Sequence, residues 1–530
     1  MINKEFRGDS TLSKYTASFN PATGAKIGES HLNIKEDFLA ALQKARQVQP
    51  AWAALSVRQR IEYIRKIQTF LIANVQRLAE TISQDNGKLR IDALATEILP
   101  ACMALSYYSR QAQRFLKPRK VASGNWLLSY KRSKIYRVPY GVIGIISPWN
   151  YPFGIPFSEI IMALLAGNTV IIKTASETQQ VGRILEECIQ SAELPDGIFQ
   201  YLNLPGKAAG EAFLENGVDK LFFTGSVDVG KYIMQKAAAT LTPVVLELGG
   251  KDAMIVCQDA DLSRCVGGAI WAGLSNAGQS CAAVERIYVH AAVYEQFLEM
   301  LKAAVEAIRV RVDDDFETDV GAITNRQTYA KIQRHLQDAL NKGAKVSAQS
   351  QHPSDSPGLF LPAVVLTDVN HDMLIMREET FGPVLAVMKF DTEEEAIRLA
   401  NDSNLGLTAS VWSRSRHHAV KIARQLQVGT VMINDHMMSH GLAETPWGGF
   451  KESGIGRTHG KIGFDEMTQP QVVVNDILPF AKKNLWWQPY NRKVYDGLVG
   501  LLNFLYGQNF RWRISGLGKL LKIVGRYFQK

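Results

Sequence analysis

The chain has 530 residues, 46% of them hydrophobic and 21% charged, which excludes a disordered, collagen-like or low-complexity protein. Its formal net charge is +9, yet residues 471–530 hold ten Lys/Arg against two acids and so carry +8 of it. The body up to residue 470 is nearly neutral, so it lacks the electrostatic footprint of a nucleic-acid-binding protein.

Residues 36–118 read as helices. Leu39, Ala40, Leu42, Ala45, Trp52 and Leu55 recur at near-helical spacing, and periodicity continues from Arg58 to Arg114 with few breakers. Val142–Ile146 is a short apolar run ending at Ser147-Pro148, the pattern of a buried strand. A helix at Ser158–Ala166, a strand at Val170–Ile172, a helix at Gln180–Ala192 and strands at Leu221–Phe223 and Val244–Leu246 follow. Past residue 250 the alternation resumes. Strands are expected at Ala253–Cys257, Arg286–His290, Ala363–Leu366, Val384–Lys389, Ala409–Trp412 and Gly429–Ile433. Helices are expected at Ala292–Val310, Arg326–Lys342, Glu393–Asn401 and Arg416–Leu426. Short apolar strands alternating with helices predict α/β architecture with open parallel sheets in two units.

The five cysteines, Cys102, Cys188, Cys257, Cys265 and Cys281, form no CxxC pair. That argues against a disulfide framework and a cysteine zinc site, and no metal is expected. No run reaches the roughly 18–20 apolar residues of a membrane-spanning helix. Met1 to Asn20 lacks the apolar core of a signal peptide, so the expected setting is cytoplasmic.

Several residues stand where chemistry is placed in α/β proteins. Cys281, in Gly278-Gln279-Ser280-Cys281, lies among small polar residues outside any helical pattern; alone, such a cysteine is more often structural than reactive. Glu247 ends the run Val244-Val245-Leu246 and precedes Leu248-Gly249-Gly250, a position for a functional acid or a surface carboxylate with even odds. Phe223-Thr224-Gly225-Ser226 joins a strand to the helical stretch Val229–Ala238, a turn that offers backbone N–H groups to a phosphate, though it is not GxGxxG. Lys173 ends a strand within reach of a cofactor ribose or phosphate. Asn150, in Pro148-Trp149-Asn150-Tyr151-Pro152, is either an oxyanion donor or a turn former.

Taken in order, these motifs resemble the aldehyde dehydrogenase superfamily. The likeness runs from Asn20-Pro21-Ala22-Thr23-Gly24 to about residue 470. It adds Leu246–Lys251, Glu379-Thr380-Phe381-Gly382-Pro383, Asn434, and Gly448-Gly449-Phe450-Lys451 with Ser453-Gly454. The resemblance implies a Rossmann-like NAD(P)-binding domain (1–120 and 140–248), an α/β catalytic domain (249–448), and a β-hairpin oligomerisation arm (121–139 and 466–475) that builds a homodimer or homotetramer. It implies Cys281 as nucleophile, Asn150 and the Cys281 N–H as oxyanion donors, and Glu247 as the base that releases the acid. It also implies that Lys173 and Glu379 hold ribose hydroxyls and that Phe381 packs beside the nicotinamide. Glu247 favours hydrolysis over transfer to coenzyme A, and the full set argues against a silent scaffold. Many NAD-using members carry Glu three residues after the lysine. Here Ser176 stands there and Glu177 follows, so NAD is expected and NADP stays open. Ser158 replaces a bulky residue common in members that handle small aldehydes, and so implies a wider tunnel.

Residues 476–530 extend past the family core. Leu498–Tyr506 is largely apolar. Leu517, Leu520, Leu521, Val524 and Phe528 form one helical face, and Lys519, Lys522, Arg526 and Lys530 the other. This basic, Trp-rich tail suits either an anionic membrane surface or packing on the protein itself. A membrane-lying tail on an aldehyde oxidiser points to a lipophilic substrate, a long-chain fatty or an isoprenoid- or carotenoid-derived aldehyde.

Overall fold

The computed structural model describes residues 14–353, 356–478 and 481–528. The polar start through residue 13, and Lys530 at the end of the basic series, lie outside the described residues. The chain divides into two compact units, residues 1–116 with 138–469, and residues 117–137 with 470–530.

The first unit contains two parallel-dominated sheets. In one, the strands lie in the order Gly454–Ile455, Val244–Glu247, Lys220–Thr224, Val142–Ile146, Thr169–Lys173 and Phe199–Tyr201, parallel except for the Gly454–Ile455 edge. In the other the order is Lys345–Gln349, Val364–Thr367, Val384–Phe390, Val284–His290, Asp252–Val256, Thr408–Trp412 and Thr430–Ile433. Only the pair Lys345–Gln349/Val364–Thr367 is antiparallel. Every residue of Val142–Ile146 and Thr169–Lys173 is buried, because helices cover both faces. Gly144 is required there: a Cβ would sit 2.4 Å from the Phe213 ring.

The predicted helical region is four main helices, Lys35–Ala54, Val57–Ala73, Val75–Asn86 and Leu99–Leu116. Ser56 starts the second with a capping box, its Oγ accepting from Gln59 N–H while the Gln59 side chain accepts from Ser56 N–H. The helix Gly154–Ala166 begins four residues before its predicted start and is buried along its whole length. The strands Tyr15–Phe19 and Lys26–His31, unmarked in the sequence reading, form a hairpin whose turn is Asn20-Pro21-Ala22-Thr23-Gly24. Asn20 Oδ1 accepts from Ala22 N–H at 2.8 Å, and Gly24 takes φ +71°.

The second unit combines the strands Arg119–Val121, Lys131–Pro139 and Thr468–Asp476 with two helices, Arg492–Tyr506 and Phe510–Val524. Leu127-Leu128, expected as strand, instead form a 3-10 turn started by the Asn125 side chain. The two helices cross at glycines: a Cβ on Gly516 would lie 2.4 Å from Gly500 O, so only small residues allow this approach. Around the crossing Leu485, Leu501, Leu520 and Ile523 make a small core. The single apolar face expected for the last helix is therefore split. Leu520 turns inward, whereas Phe510 (76% exposed), Ile514, Leu517 and Leu521 (60%) form an outward stripe at i, i+4, i+7, i+11. Tyr495, Leu502 and Tyr506 are exposed on the partner helix. Among the described residues no helix is long and apolar enough to cross a membrane.

Candidate active site

Four strands of the first sheet end side by side at Ile146, Lys173, Thr224 and Glu247. Strand order reverses at Val142–Ile146, which pairs with Thr169–Lys173 on one side and Lys220–Thr224 on the other. Connections diverging to opposite faces leave a crevice at such a point. A cleft of about 820 Å³ fills it, lined by Lys173, Glu177, Gly225, Ser226, Glu379 and Phe381, with Asn150 and Cys281 also on its wall. Ser176 does not line it and faces solvent.

Each cleft residue has a local cause. Ser226 caps the helix Val227–Ala238, turning that helix N-terminus into the cleft, and Gly225 N–H donates to Glu247 O at 3.0 Å. Burial pulls the Lys173 ammonium below the usual lysine range, opposed by Glu177. Glu379 Oε1 accepts from Gly250 N–H at 2.9 Å; burial, then the Glu285 carboxylate, push Glu379 up to about 7. Glu285 itself stays ionised: burial opposes it, but the paired Lys251 ammonium and the N–H groups of Thr380 and Phe381 outweigh that. Those bonds hold Phe381 at φ +63°, with its ring edge-on to Trp149, centroids 5.5 Å apart. A cation, a helix N-terminus and carboxylates facing one cleft fit the phosphates and ribose hydroxyls of a dinucleotide.

Cys281 follows a turn in which Asn276 and Ala277 adopt left-handed φ of 52° and 55°. Gly250 lets the backbone close in, since a Cβ there would lie 2.1 Å from Cys281 O. Burial pushes the Cys281 thiol far up, with Glu379, Asp252 and Glu247 adding to it. Asn150 is fixed by two donors to its carbonyl, Lys88 Nζ at 2.7 Å and Asn276 Nδ2 at 2.9 Å. Lys88 pairs with Glu97, whose Oε2 accepts from Phe153 and Gly154 N–H and so anchors the start of the helix after Asn150. Both charges are fully buried, so losing either partner would strand the other at a cost of roughly 3–5 kcal/mol.

Two smaller spaces open beyond Cys281. One is a tunnel of about 60 Å³ with walls that include Pro100, Ala104, Ile155, Trp271, Met438 and Ser158; among the described residues no Lys, Arg, Asp or Glu lines it. The other, about 20 Å³, is bounded by Glu247, Glu159, Thr224, His440 and His459. Cys281 alone among the described residues lines the cleft, the tunnel and this cavity. Glu247 is buried against Gly448, where a Cβ would come within 2.8 Å of Oε1, and the Trp447 side chain is the donor facing its carboxylate. Burial, then the Glu159 carboxylate, raise Glu247 well above the usual carboxylate range, while Arg457 pulls it down. Lys88, Glu97, Arg457 and both histidines carry no local signature in the sequence. Glu159 had one, a lone acid inside the apolar run Pro156–Ala166.

A dinucleotide-sized cleft at a topological switch point, meeting an uncharged tunnel at one cysteine, defines an oxidoreductase fold with two converging substrates. The aldehyde dehydrogenase family model matches residues 7–473. The 4,4'-diapolycopene aldehyde oxidase of Methylomonas sp. is 38% identical over 493 residues, covering 93% of this chain and 92% of that protein. A putative succinate-semialdehyde dehydrogenase [NADP(+)] of Mycolicibacterium smegmatis is 36% identical, covering 88% and 90%. The NAD+ complex structure of an aldehyde dehydrogenase from Bacillus cereus superposes with TM-score 0.83 at 31% identity, covering 88% of this chain and 94% of that one. The chain belongs to the aldehyde dehydrogenase family: it is an enzyme that oxidises aldehydes with NAD or NADP.

Proposed function

We propose that the enzyme oxidises a lipophilic aldehyde to the carboxylic acid, with Cys281 as nucleophile, Glu247 as base and Asn150 as oxyanion donor. The observation that carries the substrate class is the tunnel wall: among the described residues no charged side chain lines it. A short aldehyde bearing a carboxylate would enter without a cation to meet it, at the full cost of desolvation. The Methylomonas relative, named for a carotenoid-type aldehyde, supports the same reading. Ser158 on the wall leaves width for an extended chain.

The Cys281 sulfur adds to the carbonyl carbon as Glu247 takes the thiol proton, and Asn150 Nδ2 with the Cys281 N–H holds the oxyanion. NAD or NADP, when bound, supplies the hydride acceptor; Lys173 and Glu379 hold its ribose hydroxyls, and Phe381 packs beside its nicotinamide. Glu247 then takes a proton from water, whose oxygen attacks the Cys281 thioester and expels the sulfur. In this assignment the first sheet, within residues 1–120 and 140–248 apart from its Gly454–Ile455 edge, serves the cofactor, and the second, within 249–448, presents the nucleophile. The strands near 119–139 and 468–476 serve oligomerisation.

Glu177 favours NAD, because a carboxylate beside Lys173 accepts from a ribose 2′-hydroxyl and repels a 2′-phosphate. Glu177→Ser is expected to shift the ratio of kcat/KM for NADP over NAD by on the order of tenfold, the worth of about one charge-assisted hydrogen bond. Steady-state kinetics with both cofactors measure it; an unchanged ratio removes Glu177 from cofactor choice.

The second unit serves as a membrane-surface platform for such a substrate. The outward stripe Phe510, Ile514, Leu517 and Leu521 shares its helix with Arg511, Arg513, Lys519 and Lys522, a pairing suited to anionic lipid. Wild type should co-sediment with anionic vesicles and less with neutral ones. Phe510→Ser/Leu517→Ser/Leu521→Ser should lose that binding and slow oxidation of vesicle-borne aldehyde, leaving a short soluble aldehyde unaffected. Equal co-sedimentation of variant and wild type refutes the platform.

A further inference from the structure

We propose that Glu159 and Glu247 act as one carboxylate pair, sharing a proton across a single water and passing the protons of each turnover toward the tunnel. The inference rests on the proposed role of Glu247 as base.

Four observations meet in one place. Glu159 and Glu247 border the same cavity, which at about 20 Å³ has room for one water. Thr224 Oγ1 and His459 Nδ1 on its wall are buried without protein partners, and the Glu247 carboxylate, which faces the Trp447 side chain, has acceptor capacity to spare. That set supplies the two to four partners an ordered water needs. His440 and His459 also line the tunnel, so the cavity and the tunnel share a wall.

The charge balance makes the two acids a pair. Cys281, Tyr108, Arg457, His440 and His459 are the other titratable groups facing them. Burial keeps both imidazoles neutral, with His440 at about 4 and His459 well below its ordinary value. It also keeps the Tyr108 hydroxyl and the Cys281 thiol protonated. Among the described residues Arg457 is then the one cation facing them, and one cation supports one carboxylate. Two like-charged acids in a shared buried site hold a proton between them. Burial alone pushes Glu159 up to about 8.

Aldehyde, NAD(P)+ and water yield carboxylate, NAD(P)H and two protons. Glu247 takes one proton from the Cys281 thiol at addition and one from water at hydrolysis, and the second water proton, left on the carboxylic acid, returns to the expelled Cys281 thiolate. After the first transfer Glu247 is neutral and cannot serve the second. A proton handed through the bridging water to Glu159, as the proton of Glu159 leaves toward the tunnel past the wall shared by His440 and His459, ionises Glu247 again. Glu159 is thus a positioning residue, acting on the thioester only through Glu247.

The test is the pH dependence of acyl-enzyme hydrolysis in single turnovers, for wild type, Glu159→Gln, Glu159→Asp and Glu247→Gln. Wild type should show a steep acid limb with two coupled ionisations. Glu159→Gln should show one ionisation, its limb moved down by about one pH unit or more, because the like charge is gone. Glu159→Asp should restore the two-step form. A Glu159→Gln profile superimposable on wild type overturns the pairing. Hydrolysis in Glu247→Gln at the wild-type rate instead overturns the base itself, a separate failure. Should Glu159→Gln not fold, infrared titration of wild type decides: two buried carboxyl bands changing together support the pair, and one titrating alone refutes it.

Discussion

Cys281→Ala abolishes aldehyde-dependent NAD(P)H formation, by on the order of 10⁴–10⁶-fold, while dinucleotide binding is retained. The expectation follows from where Cys281 stands, the one described residue common to cleft, tunnel and cavity. Without its sulfur no covalent bond holds the aldehyde carbon beside the cleft, and the oxyanion donors have no oxyanion to stabilise. Alanine should be tolerated structurally, because the close contact with Gly250 is made by the Cys281 backbone carbonyl. Fluorescence titration with NAD(P)H reads binding, and absorbance reads turnover. Substantial turnover in the variant would remove Cys281 from the chemistry. The reactivity of the thiol carries a further signature. Burial and three neighbouring carboxylates hold it protonated, so alkylation of Cys281 in the free enzyme should be slow at neutral pH and rise steeply with pH.

Much of this arrangement was legible in the sequence, and the reasons are specific. Val142–Ile146, Val170–Ile172, Leu221–Phe223 and Val244–Leu246 read as strands because parallel strands covered on both faces become unbroken apolar runs. Their ends then marked Lys173, Thr224 and Glu247, the positions from which a switch-point crevice is built. Edge elements were not legible. Phe199–Tyr201 and Gly454–Ile455 have three and two residues, too few for a period to show, and Lys345–Gln349 is half-exposed. Glu177 and Ser176 are adjacent in sequence, and only the path of the 3-10 turn Ser176–Thr178 separates the one on the cleft wall from the one in solvent. In the tail, periodicity located the last helix but could not assign its faces. Gly500 and Gly516 let the two helices approach closely, and that contact draws Leu520 and Ile523 inward while Leu521 is left outside. The supports of the site, Lys88 with Glu97 and Lys251 with Glu285, stand 9 and 34 residues apart, spacings that match no local pattern.

Glu247→Gln stalls the enzyme after one turnover. The first NAD(P)H still forms, at a rate that rises with pH because the Cys281 thiol must now ionise to solvent, and steady-state turnover falls by about 10²–10⁴-fold, the usual worth of a positioned general base. Glutamine keeps the shape against Gly448, where there is no room for a larger group, and removes only the capacity to take a proton. The sign of the pH effect follows from the environment. Burial and the Glu159 carboxylate favour the neutral form, so Glu247 keeps its proton to a higher pH than an exposed glutamate. A protonated carboxyl cannot accept a proton from water. Deacylation in wild type therefore rises with pH as Glu247 ionises, on a limb well above the ordinary carboxylate range near 4.3. The same acid limb should be absent from the residual rate of Glu247→Gln. Rapid-mixing kinetics across pH, with intact-mass detection of the trapped acyl-enzyme, measure both effects. A variant that turns over steadily without accumulating thioester would show that water is activated by another group, and would return transfer of the acyl group to a thiol acceptor as the leading reaction.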